Sequence, residues 1–322
     1  ALPLGPPHPS AASAALPLGP PHPSAASAAL LLGPPHPSAA SAALPLGPPH
    51  PSAASAALPL LPLHGRVSRY VWGPTPEAGV DYHRWLLKRL KILVRRLEGI
   101  IGHSITARTY VDTGPVLERS WAQAAGLGWT GKNTVLIHPQ LGSFTFLGVA
   151  FLDIPLPTTP PQALPNCGTC TRCIDACPTG ALVAPGVLDA RRCLSYLTIE
   201  HRGPIPETYR TAMGTRLFGC DTCQDVCPWN RKPLAAHERE TIPDLAALYL
   251  PDLLTLDKAG FRARFRRTPI WRATPDGLAR NAAIVLGNLG DPAARPHLEQ
   301  AAAHHPSAVV RDSAAWALAR LE

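Results

Sequence analysis

All eight cysteines of this 322-residue chain lie between Cys167 and Cys227. They form two runs and a singleton: Cys167-Gly-Thr-Cys170-Thr-Arg-Cys173-Ile-Asp-Ala-Cys177-Pro178, then Cys193, then Cys220-Asp-Thr-Cys223-Gln-Asp-Val-Cys227-Pro228. The first run is C-x2-C-x2-C-x3-C-P, the spacing of ferredoxin-type [4Fe-4S] sites. Three thiolates two residues apart can wrap one face of a cubane while the intervening amides point at its sulfides. The fourth, carried away by the following proline, reaches the other cluster. The expected assignment is therefore crossed. Cluster one takes Cys167, Cys170, Cys173 and Cys227; cluster two takes Cys177, Cys193, Cys220 and Cys223. Eight thiolates fill two cubanes without remainder. Four disulfides would need an oxidising compartment. Zinc ribbons use C-x2-C pairs but not this run, and the C-x-x-C-H of a c-type haem site is absent.

A second candidate for chemistry is Asp112. Ile105–Val111 reads as a strand and Pro115–Ala125 as a helix, with Pro115 at its first position and Gly126 as its stop. Asp112 then sits at a strand end before a helix, where α/β domains place functional groups; the alternative is that it caps the helix. The turn Gly126-Leu-Gly-Trp-Thr-Gly131-Lys132-Asn133 lets backbone approach a ligand closely, or is an ordinary tight turn. It is not a P-loop, because Asn133 follows the lysine. Thr134–His138 and Ser143–Asp153 read as a β-hairpin, and Pro155–Pro165 as a proline-rich linker.

These groups must be held by the chain around them. Residues 1–56 are four near-perfect copies of a 14-residue unit rich in Pro, Ala and Ser, and Leu31 alone departs by replacing a proline. A fifth copy decays by His64. Proline blocks helix and sheet, so residues 1–64 read as disordered and polyproline-like. The regularly spaced His8, His22, His36, His50 and His64 read as passengers of the repeat rather than as a metal tract. The chain opens on Ala1, which suggests a fragment, a processed chain or an unusual gene model.

Residues 1–64 carry no Lys, Arg, Asp or Glu, so the net charge of +8 belongs to residues 65–322. That balance points to a polyanionic partner, nucleic acid first. No run of about eighteen apolar residues exists, so no membrane span is expected. Asp81–Leu97 reads as an amphipathic helix with Trp85, Leu86, Leu90, Leu93 and Leu97 on one face. Arg84, Lys88, Lys91, Arg95 and Arg96 lie on the others, either as a solvated surface or as a polyanion contact. Phe261-Arg-Ala-Arg-Phe-Arg-Arg-Thr268 is strongly basic. From Arg280 a repeat of about 31 residues aligns Arg280-Asn-Ala-Ala-Ile-Val-Leu-Gly with Arg311-Asp-Ser-Ala-Ala-Trp-Ala-Leu, as in HEAT-like helix pairs.

Residues 65–322 resemble epoxyqueuosine reductase, the tRNA-modifying iron–sulfur and cobalamin enzyme family. The resemblance rests on Arg69-Tyr, Asp81-Tyr-His, Val111-Asp-Thr-Gly-Pro-Val-Leu-Glu118 and Ala125-Gly-Leu-Gly-Trp-Thr-Gly-Lys-Asn133. It also rests on both cysteine runs, Ile199-Glu-His-Arg-Gly203 and Leu278-Ala-Arg-Asn-Ala-Ala…Gly287-Asn, all collinear. It implies that the epoxide oxygen of epoxyqueuosine at the tRNA wobble position is removed to give queuosine, with electrons passing through two [4Fe-4S] clusters to cobalamin. It implies that Asp112 is the catalytic acid and a cofactor contact, since reductive epoxide opening leaves an alkoxide that needs a positioned proton donor. Lys132 and Asn133 would lie by cobalamin or substrate, and Ser195 and Asp221 are further cobalamin candidates. The implied partners are tRNA carrying epoxyqueuosine and an electron donor, either flavodoxin- or ferredoxin-type or a chemical reductant, for a monomeric cytoplasmic protein without membrane contact.

The expected fold class is α+β. Disordered repeats occupy 1–64, and a partial α/β cobalamin-binding domain 65–160, truncated because the repeat stands where the family has folded sequence. A ferredoxin-like double-cluster domain covers 161–235 and a HEAT-like helical, tRNA-contacting domain 236–322. Two rival readings remain at this point: a two-cluster ferredoxin-like electron carrier, and a catalytically dead tRNA-binding iron–sulfur remnant. Asp112, the glycine-rich turn and the basic C-terminal repeat are surplus to a carrier.

Overall fold

A computed structural model describes residues 27–31, 60–72, 81–157, 164–231 and 243–322. In chain order its elements are β1 (Ser27–Leu31), β2 (His64–Val67), α1 (Tyr82–Ile101), β3 (Ala107–Tyr110), α2 (Glu118–Ala124), β4 (Trp129–Thr130), β5 (Leu136–Ile137) and β6 (Leu147–Leu152). The cysteine region adds α3 (Arg172–Asp175), β7 (Leu182–Ala184), β8 (Val187–Leu188), α4 (Leu194–Ile199), α5 (Glu207–Met213), β9 (Arg216–Phe218) and α6 (Thr222–Asp225). The C-terminal part holds α7 (Pro243–Ala246), β10 (Ala247–Tyr249), α8 (Leu250–Thr255), α9 (Lys258–Phe265), α10 (Pro275–Leu289), α11 (Arg295–His304) and α12 (Ala308–Leu318).

Helix α1 starts where the sequence predicts. The Asp81 side chain accepts from the His83 amide at 2.9 Å and caps the first turn, and Gly102 at φ +79° ends the helix. Its buried stripe is Tyr82, Leu86, Leu90 and Val94, one residue round from the face expected through Trp85, Leu93 and Leu97. Arg84, Lys88, Lys91, Arg95 and Arg96 face solvent. The stripe packs on the antiparallel sheet β1-β6-β3.

Three local expectations change. Helix α2 begins at Glu118, with Leu117 as N-cap and no side-chain cap bond, so Asp112 does not cap it. The two apolar runs after Asn133 do not form a hairpin: β5 pairs with β4, and β6 pairs with β3. The turn between them closes only through the His138–Gly142 bridge. Each run finds a partner earlier in the chain, a choice that alternation of side chains does not encode.

The third change lies in the repeat. Ser27–Leu31 is an edge strand, antiparallel to β6 from Ser27 opposite Phe151 to Leu31 opposite Leu147. It falls where Leu31 replaces the repeat's proline, and proline cannot donate to a ladder. The expected disorder does not extend to this segment, nor to the end of the repeat, where Leu63 is buried and His64 opens β2. Residues 1–26 and 32–59, with His8, His22, His36 and His50, lie outside the described residues.

The second sheet, β10-β2-β9, joins residues from all three expected domains: β2 pairs antiparallel with β10 and parallel with β9. One hydrophobic core follows it, from Leu63, Val67 and Val71 through Leu194, Leu197, Leu217 and Phe218 to the buried faces of α8, α10, α11 and α12. Helices α10 and α12 pack at close range. A Cβ added to Gly287 would lie 2.7 Å from the Ala317 Cα, which is backbone and cannot move aside. Gly287→Val therefore overpacks this contact and is expected to destabilise the fold by about 1–3 kcal/mol; denaturant unfolding with an unchanged midpoint would refute that packing.

Candidate active site and cluster region

Asp112 leaves β3 in a left-handed conformation, φ +59°, which is uncommon outside glycine and turns its carboxylate out of the strand direction. The side chain is 59% exposed, yet one oxygen is engaged. The Tyr82 hydroxyl donates to Asp112 Oδ2 in a short bond. His83 Nε2 lies 3.7 Å from the same oxygen, and His83 Nδ1 lies 2.6 Å from Asp81 Oδ1. His83 Nε2 is buried and has no hydrogen-bond partner.

The first turn of α1 thus delivers Asp81, Tyr82 and His83 to the end of β3. The Tyr82 ring stacks on His83 at 4.0 Å and on Phe146 at 4.3 Å between centroids, which fixes both side chains. Burial, then the bond to Asp112, pushes the Tyr82 phenol far above its ordinary range, so it stays a donor. Burial alone would raise Asp81, but bonds from the His83 ring and amide outweigh it and hold the carboxyl below its usual value. Tyr82 and His83 did not stand out as chemistry in the sequence. The available signal was an N-cap aspartate followed two residues later by histidine.

A line of aromatic rings runs from this site toward the cysteines. Tyr70 meets Tyr82 edge-on at 6.1 Å and lies 6.0 Å from Phe218, two residues before Cys220.

The cysteines gather in two sets. Cys167, Cys170, Cys173 and Cys227 line one cavity with Lys132, Asn133 and Trp229. Burial, then the neighbouring Cys167 thiol, pushes Cys173 up. Burial, then the Cys220 and Cys193 thiols, pushes Cys223 far up. Cys177 accepts from the Ala181 amide at 3.2 Å, and the Ser195 and Tyr196 amides serve Cys193. All eight are free thiols. Among the described residues no three His, Cys, Asp or Glu side chains converge on a single metal ion. Thiols spread round a cavity suit a cluster better than a mononuclear zinc site, whose ligands meet at one point.

The polar residues expected near cobalamin make hydrogen bonds in and around the cysteine region. Lys132 Nζ donates to the carbonyls of Gly168 at 2.8 Å and Cys170 at 3.0 Å, and its amide faces Cys167 Sγ at 3.5 Å. Asn133 is buried and donates to the Cys223 carbonyl at 3.4 Å. Asp221 accepts from the Ser68 hydroxyl and, at 2.8 Å, from the Arg69 amide. Ser195 lies half-buried in the first turn of α4. Of the expected cofactor contacts, Asp112 is the one on an exposed loop, and Lys132, Asn133 and Asp221 make hydrogen bonds within the protein.

Three family models match the chain: "Epoxyqueuosine reductase QueG, DUF1730" over residues 32–113, "4Fe-4S double cluster binding domain" over 166–230, and "PBS lyase HEAT-like repeat" over 278–304. The first match begins inside the repeat. Among curated relatives, the epoxyqueuosine reductase of Xanthomonas campestris is 47% identical over 257 residues, covering 79% of this chain and 70% of the relative. That of Pseudomonas aeruginosa is 43% identical, covering 79% and 69%. Among solved structures, an epoxyqueuosine reductase with an epoxyqueuosine-modified tRNA-Tyr stem loop superposes with a TM-score of 0.72 at 36% identity, covering 80% of this chain and 67% of that one. The Bacillus subtilis enzyme, described with its catalytic aspartate loop swung out of the active site, gives 0.71 at 36%, with the same coverage. No helix among the described residues is long and apolar enough to cross a membrane. With a double-cluster domain between a matching N-terminal domain and a helical repeat, and relatives matched over about seven tenths of their length, the chain belongs to the epoxyqueuosine reductase family.

Proposed function

We infer that this oxidoreductase reduces the epoxide of epoxyqueuosine in tRNA to give queuosine. The observation that carries the reading at residue level is the carboxyl of Asp112, presented on a loop and backed by Tyr82 and His83. Asp112 protonates the oxygen released as the epoxide opens, the role general acids fill in such steps. Tyr82, kept as a phenol by burial, holds Oδ2 and leaves Oδ1 for the substrate. His83, steadied by Asp81 at 2.6 Å, stands 3.7 Å from the same oxygen and helps fix the orientation of the carboxyl. The catalytic aspartate loop of the Bacillus subtilis relative supports giving the acid role to a loop aspartate.

Iron–sulfur clusters supply the electrons, drawn from a flavodoxin- or ferredoxin-type donor. The two thiol sets favour the crossed ligands: Cys167, Cys170, Cys173 and Cys227 for one cluster, and Cys177, Cys193, Cys220 and Cys223 for the other. Cobalamin, when bound, would supply a low-valent cobalt able to reduce the epoxide. The stem-loop complex of a relative supports tRNA as the substrate carrier. A strip on α9 and the turn after it offers phosphates a surface: Arg262, Arg264, Arg266 and Arg267 are exposed, beside Trp271, which stacks on Phe261 at 5.4 Å.

Three measurements test this reading on the full chain. Asp112→Asn should lower turnover of epoxyqueuosine tRNA by about 100-fold or more with iron content unchanged; wild-type turnover would remove Asp112 from the acid role. Cys193→Ala should bring bound iron from about eight to about four atoms per chain, and retention of the full content would break the ligand sets. Reversing Arg264 and Arg266 to Glu should weaken tRNA binding and flatten its dependence on salt; unchanged affinity at low salt would exclude this strip.

A further inference from the structure

Arg280 on α10 is 1% exposed and has no carboxylate partner among the described residues. Its guanidinium uses all its donors on oxygens: Leu197 O at 2.8 Å, His201 O at 2.8 Å, Gly203 O at 2.6 Å, and Asn281 Oδ1 from both Nε (3.1 Å) and a terminal nitrogen (2.8 Å). Asn281, fully buried, donates in turn to Thr198 O at 2.8 Å and Leu217 O at 3.0 Å. The Thr198 hydroxyl donates to Leu194 O at 2.7 Å and accepts from the Gly219 amide at 2.9 Å. Burial, with the charge of Arg202 adding, brings Arg280 down to about 10, so it remains a cation at neutral pH.

The backbone acceptors lie on two stretches only. Residues 194–203 are α4 and its exit, and they start directly after Cys193. Residues 217–219 are the end of β9, and they stop directly before Cys220. A buried cation without a counter-ion is costly to desolvate. Here that cation braces residues 197–203 and Asn281, and Asn281 carries the network on to Leu217, so that one helix of the C-terminal repeat ties together the two segments that carry a cysteine pair.

We propose that Arg280 and Asn281 are positioning residues for the second [4Fe-4S] cluster. They hold Cys193 and Cys220 in the register needed to share one cluster, and they set a fixed positive charge behind the ligand-bearing helix. The inference rests on the ligand sets proposed above. Only the guanidinium fork supplies enough donors for these oxygens; a lysine keeps the charge but has fewer donors and no plane. Fixed charge and hydrogen bonding near a cluster tune its potential.

The test uses the full chain, purified anaerobically and reconstituted with iron and sulfide, and followed by iron content and an EPR-monitored redox titration. Cys193→Ala and Cys170→Ala assign the two cluster signals. Arg280→Lys and Asn281→Ala should each lose the Cys193-dependent signal or shift its midpoint, and leave the Cys170-dependent signal in place. Asn288→Ala is the control. Its amide, on the same helix, donates to Arg210 O at 2.8 Å and Gly214 O at 3.1 Å, a segment without cysteines. It should leave both signals unchanged. The proposal is overturned if Arg280→Lys and Asn281→Ala keep a wild-type midpoint and intensity for the Cys193-dependent signal. It is also overturned if Asn288→Ala shifts that signal equally, or if both signals fall together. Should Arg280→Lys not fold, Asn281→Ala decides alone. If Cys193→Ala and Cys220→Ala remove different signals, the ligand sets fail instead, and that outcome is read before the positioning variants are made.

Discussion

The structure depends on the seam where the turn at residues 68–72 meets the loop carrying Cys220 and Cys223. Asp221 takes the Ser68 hydroxyl on one oxygen and the Arg69 amide on the other. Arg69 pairs with Asp225 and lies over the Phe144 ring at 4.4 Å. Gly219, at φ +74°, permits the approach, since a Cβ there would come 2.5 Å from the Ser68 Cβ. Half-buried ion pairs add little net stability, but a buried charge without its partner is strongly unfavourable. The seam therefore admits one register, and that register sets how far the acid site lies from the cysteines. Tyr70 stands within it, against Tyr82 on one side and Phe218 on the other.

The same logic accounts for the glycine-rich turn. Its glycines looked suited to a ligand, yet the residues after them brace the first cysteine run: Lys132 ties Gly168 and Cys170, and Asn133 reaches the Cys223 carbonyl. A cysteine loop with little secondary structure of its own leaves many carbonyls unsatisfied, and buried carbonyls need donors. Lys132 and Asn133 supply them from a different part of the chain. In the loop after β3, an exposed carboxylate meets a phenol and an imidazole held by stacking.

The C-terminal helices are continuous with the cluster region. The sheet β10-β2-β9 and a common apolar core join the described residues on either side of 232–242. The C-terminal helices present arginines to solvent on and just after α9 and bury Arg280 and Asn281 against α4.

Sequence alone determined whatever chemistry reads out through local spacing. The C-x2-C-x2-C-x3-C-P run, the amphipathic helix beginning at Asp81, the basic positions of that helix and the α-helical repeat were all legible, because ligand spacing and periodicity act over a few residues. The basic residues before Gly102 and the position of Asp112 at a strand end were legible for the same reason. Tertiary structure alone decided the rest. Asp112 gained Tyr82 and His83 because α1 lies across β3 and β6, about thirty residues away in sequence. The supposed hairpin separated into two sheets because strand partners are chosen by packing, not by alternation. A repeat expected to be wholly disordered gave an edge strand at its one proline-to-leucine change, because β6 had an open edge to pair. Lys132, Asn133 and Asp221 became braces because buried backbone polar groups must find partners, and only the folded chain determines which side chains are within reach.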